Sequence, residues 1–162
     1  MNINQTNEGF SQVFPQADDI YKIYELGKAI FSGITDREEL KKRADIKIDR
    51  QLDYYKNAGK YVGLFDGSME LTDTGYLTFA QSTSITLTLM VFHILSVDIF
   101  LEYFKQREKN RVIPYLENRH HLSGSTPNRR FGTLKQWINW CDVIIKENDI
   151  TVNIEVLFNG HE

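Results

Sequence analysis

The side chains best suited to chemistry in this chain lie between Thr126 and Cys141. At about 100° per residue, Phe131, Leu134, Ile138 and Cys141 share one side of a helix, with Trp137 at its margin. Asn128, Arg129, Lys135, Gln136 and Asn139 share the other side. Arginine fits the guanine edge through two parallel hydrogen bonds, Asn and Gln fit adenine likewise, and lysine neutralises phosphate. Asn128, Arg129, Gln136 and Asn139 are therefore candidates for base edges, and Lys135 for a phosphate. Thr126 suits the N-cap and Pro127 the first helical position, where a missing N–H costs nothing. Ser123, Ser125 and Thr126 stand where hydroxyls and unpaired helix N–H groups can hold a phosphate. Gly132, on the polar side, would let a duplex approach closely. Arg130 projects nearer the apolar side and fits a structural ion pair or a phosphate contact equally well. An amphipathic helix with a merely solvated face produces the same pattern.

Two sets of elements are expected to carry such a helix. In the first, Ala17 to Phe31 has helical periodicity ended by Gly33, and Thr35 with Glu38 makes a capping-box pattern opening a short helix to about Arg43. Ile48, Leu52, Tyr55, Ala58 and Val62 mark a third helix. Asp66-Gly67 then signals a hairpin turn between Tyr61–Phe65 and Ser68–Leu71, and Leu71–Gly75 caps a further helix. The second set repeats the plan: a long helix over about Ser84–Gln106, a shorter one over Val112–His120 with Pro114 in its first turn, and the Thr126 helix. Two β-rich runs follow, Val143–Ile145 and Ile150–Ile154, with a turn at Glu147-Asn148-Asp149. This order predicts a mainly α fold with short β-hairpins (α+β), built as two winged helix-turn-helix units in tandem. The expected divisions are a loosely held segment at 1–16, a first unit at 17–82, a second at 84–158 and a tail at 159–162. The first unit's third helix carries Arg50, Asp53, Tyr54, Asn57 and Lys60 on its polar side. Of these, Arg50, Asn57 and Lys60 are candidate DNA contacts. Asp49 and Asp53 would repel phosphate or accept from cytosine amino groups, so the second unit is expected to dominate.

Charge placement agrees with localised anion contacts. The 162-residue chain carries a net −3, yet Lys105 to Lys146 holds nine Lys/Arg and three Asp/Glu, and Arg37 to Lys60 holds eight and five. Lys105, Arg107, Lys109, Arg111 and Arg119 could extend the footprint, although charge runs are also ordinary solvated surface. The single cysteine, Cys141, excludes an internal disulfide framework and fits a reducing, cytoplasmic setting. No secretory signal is expected, and the apolar stretch Leu87–Leu101 contains His93 and Asp98, too short and polar to span a membrane. There is no phosphate-binding glycine loop, dinucleotide fingerprint or nucleophile elbow, so no cofactor is expected. His120 and His121 diverge as neighbours, and no zinc spacing results. Glu39-Leu40-Lys41, with Asp18 and Asp19 upstream, matches half of a nuclease metal site but falls within a capped helix instead of on strands. No catalytic or metal-binding residue is expected.

Arg50–Ala58 followed by Tyr61–Leu64 and Leu71–Gly75, with Thr126–Arg130 followed by Thr133–Trp140, resembles the tandem winged-helix DNA-recognition domains attached to, or encoded beside, bacterial type II restriction endonucleases. The resemblance covers about residues 18 to 145, and its more specific part is the Arg129-Arg130 pair with the spacing of Thr133, Leu134, Trp137 and Trp140. It implies sequence-specific binding of double-stranded DNA by a module without its own cleavage chemistry. The partners it implies are double-stranded DNA and a nuclease domain or subunit, with a homodimer as a further arrangement. Two rivals stand beside it. One is a winged-helix protein-interaction or assembly module, favoured by the overall acidity. The other is a metal-dependent nuclease using Glu39 and Lys41.

Overall fold

The structure, a computed structural model, describes residues 14–119 and 126–153. Helix α1 (Ile20–Phe31) opens at Asp19, whose carboxylate accepts from the Tyr21 backbone N–H at 3.0 Å. It closes ahead of Gly33, whose φ of +93° is strained for any residue with a Cβ. Helix α2 (Arg37–Arg43) is capped by Asp36, whose carboxylate accepts from Glu39 N–H at 2.9 Å. The cap therefore falls one residue after the expected Thr35. Residues 44–48 turn the chain into α3 (Asp49–Tyr61). Helix α4 (Asp73–Phe79) starts at Thr72, whose hydroxyl oxygen accepts from Gly75 N–H at 3.0 Å. α1 packs against α2, α3 and α4.

The expected α+β architecture with winged hairpins is overturned: among the described residues every regular element is a helix. In the first unit the hairpin shrinks to one antiparallel bridge, Phe65 with Leu71. The turn itself forms where the sequence indicates. Asp66 Oδ1 accepts from the N–H groups of Ser68 and Glu70 at 2.8 and 2.9 Å. Gly63 and Met69, one on each arm, take φ of +77° and +64°, outside the extended region that a strand needs, so the pairing stops at one bridge. In the second unit, Val143–Ile145 continues a helix instead of forming a strand. Residues 150–153 are irregular, and residue 154 lies outside the described residues.

The expected long helix is also two: α5 (Thr83–Leu95) and α6 (Asp98–Gln106), bent 95° apart. Ser96 ends α5, its hydroxyl donating to the Phe92 carbonyl at 2.6 Å, and Val97 is extended at φ −91° before α6 begins. Helix α7 (Lys109–Arg119) contains Pro114 beyond its first turn, where it cannot donate to the Asn110 carbonyl. Helix α8 (Thr126–Glu147) packs on α5, α6 and α7. Among the described residues no single helix is long and apolar enough to cross a membrane.

One buried cluster draws on all eight of these helices. At its centre lies Phe14, fully buried although it belongs to the segment expected to be loose. Its ring stacks on Phe100 of α6 at 5.8 Å and meets Tyr61 of α3 edge-on at 5.7 Å. Phe100 stacks in turn on Trp137 of α8, 5.0 Å away and 10° from parallel. Trp137 Nε1 donates to the Ala17 carbonyl at 2.7 Å, and Thr133 Oγ1 to Asp18 Oδ1 at 2.7 Å. Trp137 thus stands at the heart of the buried side, not at its margin. Replacing it by Phe keeps the stack and orphans the Ala17 carbonyl. The W137F chain should lose about 1–3 kcal/mol of stability in urea denaturation.

Between α4 and α5, Thr78 Oγ1 donates to the Thr74 carbonyl at 2.7 Å and lies 2.9 Å from His93 Nε2. A hydroxyl has one hydrogen, so Oγ1 accepts from Nε2–H, which places a hydrogen on Nε2. Burial holds the His93 pKa below its ordinary value. The unfolded chain therefore binds the proton more readily. This contribution to stability is complete above about pH 6.5 and is lost as pH falls through the lower folded value. Denaturation midpoints should drop between about pH 7 and pH 5, and His93→Gln should flatten that dependence.

Candidate nucleic-acid interface

α8 buries Pro127, Thr133, Leu134, Trp137, Ile138, Cys141 and Ile144 against the body of the molecule. Burial pushes the Cys141 thiol pKa strongly upward, so the sulfur packs as an apolar group. The opposite side is open. Asn128, Arg129, Lys135, Gln136 and Asn139 are all exposed, within an arc of about 120°. Lys135, Gln136 and Asn139 have no hydrogen-bond or ion-pair partner among the described residues. Arg129 Nη2 donates to Thr126 Oγ1 at 3.3 Å, stacking the candidate pair over the first turn. Gly132 lies in the middle of the arc, and a Cβ there would meet nothing within 4 Å.

Arg130 projects on the side of α8 that carries Trp137 and Leu134, away from this arc, and is half-buried. Its Nε is buried without a hydrogen-bond partner among the described residues. Burial, then the neighbouring Arg129 charge, hold its pKa below the usual arginine range. The structural ion pair entertained for it does not form among the described residues. Ser123 and Ser125 lie outside the described residues, as does the side chain of Arg119.

On α3, Arg50 and Asn57 are exposed and Lys60 is half-buried. Arg50 Nε donates to the Tyr54 hydroxyl at 2.6 Å, with its guanidinium 5.5 Å from that ring. The signal was the spacing of four between Arg50 and Tyr54, which puts both on one helix face. The nearby acids are engaged. Asp53 pairs with Arg37 at 3.2 Å and Lys56 at 3.7 Å, and Asp49 with Lys41 at 3.1 Å. Their expected repulsion toward phosphate is thereby muted.

The wider footprint is reduced by internal pairing. Arg107 grips Asp142 through two bonds of 2.8 and 2.6 Å, which also raises its pKa, and Arg111 pairs with Glu108 at 3.0 Å. Lys109 stands 5.4 Å from the Phe131 ring centre. The Glu39-Leu40-Lys41 triplet sits on α2, where positions two apart face different sides. Glu39 accepts from Arg43 at 3.0 Å, while Lys41 turns to Glu38 at 2.8 Å and to Asp49.

Among the described residues the protein is all-helical, and the outer face of α8 carries Arg129 and Lys135 without a carboxylate partner. Residues 22–146 match the family described as Domain of unknown function (DUF7226), and the chain belongs to that family. No curated protein and no solved structure matches it.

The open surroundings of Gly132 give a direct test of its role. If the glycine serves only the folded chain, nothing there requires it. Gly132→Ala should therefore raise stability by up to about 1 kcal/mol, measured by thermal or urea denaturation.

Proposed function

We propose that this chain binds double-stranded DNA by laying the outer face of α8 in the major groove. The carrying observation is the joint exposure of Asn128, Arg129, Lys135, Gln136 and Asn139 on one arc. From Asn128 to Asn139 the helix runs about 17 Å, and a helix with its side chains suits a groove about 12 Å wide. Arg129, Asn128, Gln136 and Asn139 take base edges, Lys135 takes a phosphate, and Arg50, Asn57 and Lys60 of α3 assist. Any cutting chemistry belongs to another domain or chain. The restriction-type setting extends this reading through the sequence resemblance over about residues 18 to 145, and the cytoplasmic location through the single cysteine.

Duplex affinity should fall steeply with salt, by roughly 0.9 log units per log salt for each phosphate contacted. An absence of binding at low salt would remove the proposal. Arg129→Ala should cost about 1–3 kcal/mol on the preferred site and relax one base pair in a selection from random duplexes. Gly132→Leu should abolish binding without lowering the thermal midpoint, since the side chain projects into open space.

A second reading, a protein-assembly module, is favoured by one observation. The Phe31 and Tyr76 rings lie 5.1 Å apart on the surface, and neighbouring Leu77 is 65 % exposed. Concentration-dependent sedimentation that Leu77→Glu abolishes, with no affinity for DNA, would favour that reading.

A further inference from the structure

The exposed arc of α8 does not stop at Asn139. Val143, expected on a strand, lies on this helix one turn beyond Asn139 and two beyond Gln136. At about 100° per residue it falls about 40° from Asn139 and about 20° from Gln136, inside the arc and near the line of Gly132. The residue is 48 % exposed. Lys146 follows on the same side, exposed and without an ion pair among the described residues. The arc ends with the helix at Glu147, whose exposed carboxylate marks where phosphate contact stops.

The fold gains little from a valine at this position. Exposed, it keeps much of its apolar surface in water, and a β-branched residue is a poorer helix former than alanine. Its neighbours on the arc are amides and cations, which suit base edges and phosphates but give an apolar group nothing to pack on. The major groove presents one apolar group, the C5-methyl of thymine, and side-chain methyls meet it by direct contact. Valine offers two methyls, and in a helix it keeps one strongly preferred rotamer, so contact costs it little freedom.

We infer that Val143 reads a thymine methyl, and that the recognition face of α8 is one turn longer than the span from Asn128 to Asn139. The inference rests on the DNA reading above and adds a base-selecting contact to it. Asn139 and Val143 stand about 6 Å apart along the helix, and base pairs stack at about 3.4 Å. The thymine therefore lies within about two base pairs of the one that Asn139 contacts. Asp142, next to Val143, does not oppose this approach, because Arg107 holds its carboxylate through two bonds.

The test replaces thymine by uracil, one position at a time, in a duplex that the wild-type chain selects from a random pool. Uracil keeps the hydrogen-bonding groups of thymine and lacks only the methyl. Fluorescence anisotropy should show one position where the change weakens binding about fourfold, the share of one methyl left in water. Val143→Ala favours the helix and should keep the wild-type thermal midpoint. It should bind the thymine duplex several-fold less tightly and separate thymine from uracil there by less than about twofold. Asn139→Ala should relax selection within about two base pairs of the same position.

Equal wild-type affinity for thymine and uracil at every position overturns the inference. So does a V143A chain that keeps the full wild-type ratio, or a responsive thymine far from the pair that N139A relaxes. Salt-sensitive duplex binding with any of these results keeps the DNA reading and loses Val143 as a reader. No duplex binding at low salt removes both.

Discussion

The geometry of the outward surface depends on the indole of Trp137 donating to the Ala17 carbonyl, and on the short segment that this bond pins. Phe14 to Asp19 runs between the α1–α4 half and the α5–α8 half. Phe14 fills the space between Tyr61 and Phe100, Ala17 holds Trp137, Asp18 holds Thr133, and Asp19 caps α1. Ala17 and Asp18 satisfy polar groups of α8 that burial would otherwise strand, and Phe14 fills apolar space, so the segment cannot slide without several penalties at once. Because Trp137 and Thr133 lie on the inner side of α8, fixing them fixes the rotation of that helix about its axis. The outer arc is then presented in one orientation.

The same principle separates cations that can meet a ligand from those that cannot. Along α2 and the start of α3, Arg37, Lys41, Arg43 and Lys56 face carboxylates, and Lys47 faces Asp45. Five of that island's eight cations are engaged in this way, and its excess of three remains. Exposed pairs of this kind add little stability, but they lower the local field. On α8, Arg129 and Lys135 have no carboxylate partner among the described residues. Net charge over a window therefore misjudges both regions, because pairing decides what remains for a partner.

Much of the helical organisation was legible because it rests on local rules. Gly33, the start of α2 to within one residue of its cap, the turn at Asp66 and the cap before α4 all act within a few residues of themselves. The outer face of α8 was legible for the same reason, since a period of 3.6 sorts its residues into two sides. What failed depended on distance or competition. Val143–Ile145 has strand-forming composition, but Ile144 follows Trp137 and Cys141 at helical spacing and is fully buried, so packing overrides propensity. The break at Ser96 and Val97 interrupts an apolar run that gives no warning beyond one serine. The hairpin was judged by its turn, whereas the positive φ of Gly63 and Met69 cuts its arms short. The bonds from Trp137 to Ala17 and from Thr133 to Asp18 span more than a hundred residues, which no spacing rule reveals.

An acidic chain offering one face to a polyanion must deal with its own carboxylates near that face, and Asp142 shows how this one does. Asp142 lies one turn beyond Asn139, at the edge of the exposed arc. Unpaired, it would repel the phosphates that the arc attracts. Arg107 reaches it from the left-handed residue that ends α6, with φ at +57°, and its two bonds of 2.8 and 2.6 Å cancel the charge in a fixed geometry. Arg107 is anchored on its own side as well, its Nε donating to the Phe104 carbonyl at 3.0 Å. The guanidinium is thereby removed from direct contact with a ligand, yet it shapes the field by silencing an acid. Paired charges of this kind, more than any excess of lysine and arginine, leave α8 with a locally cationic face on a molecule whose total charge is negative.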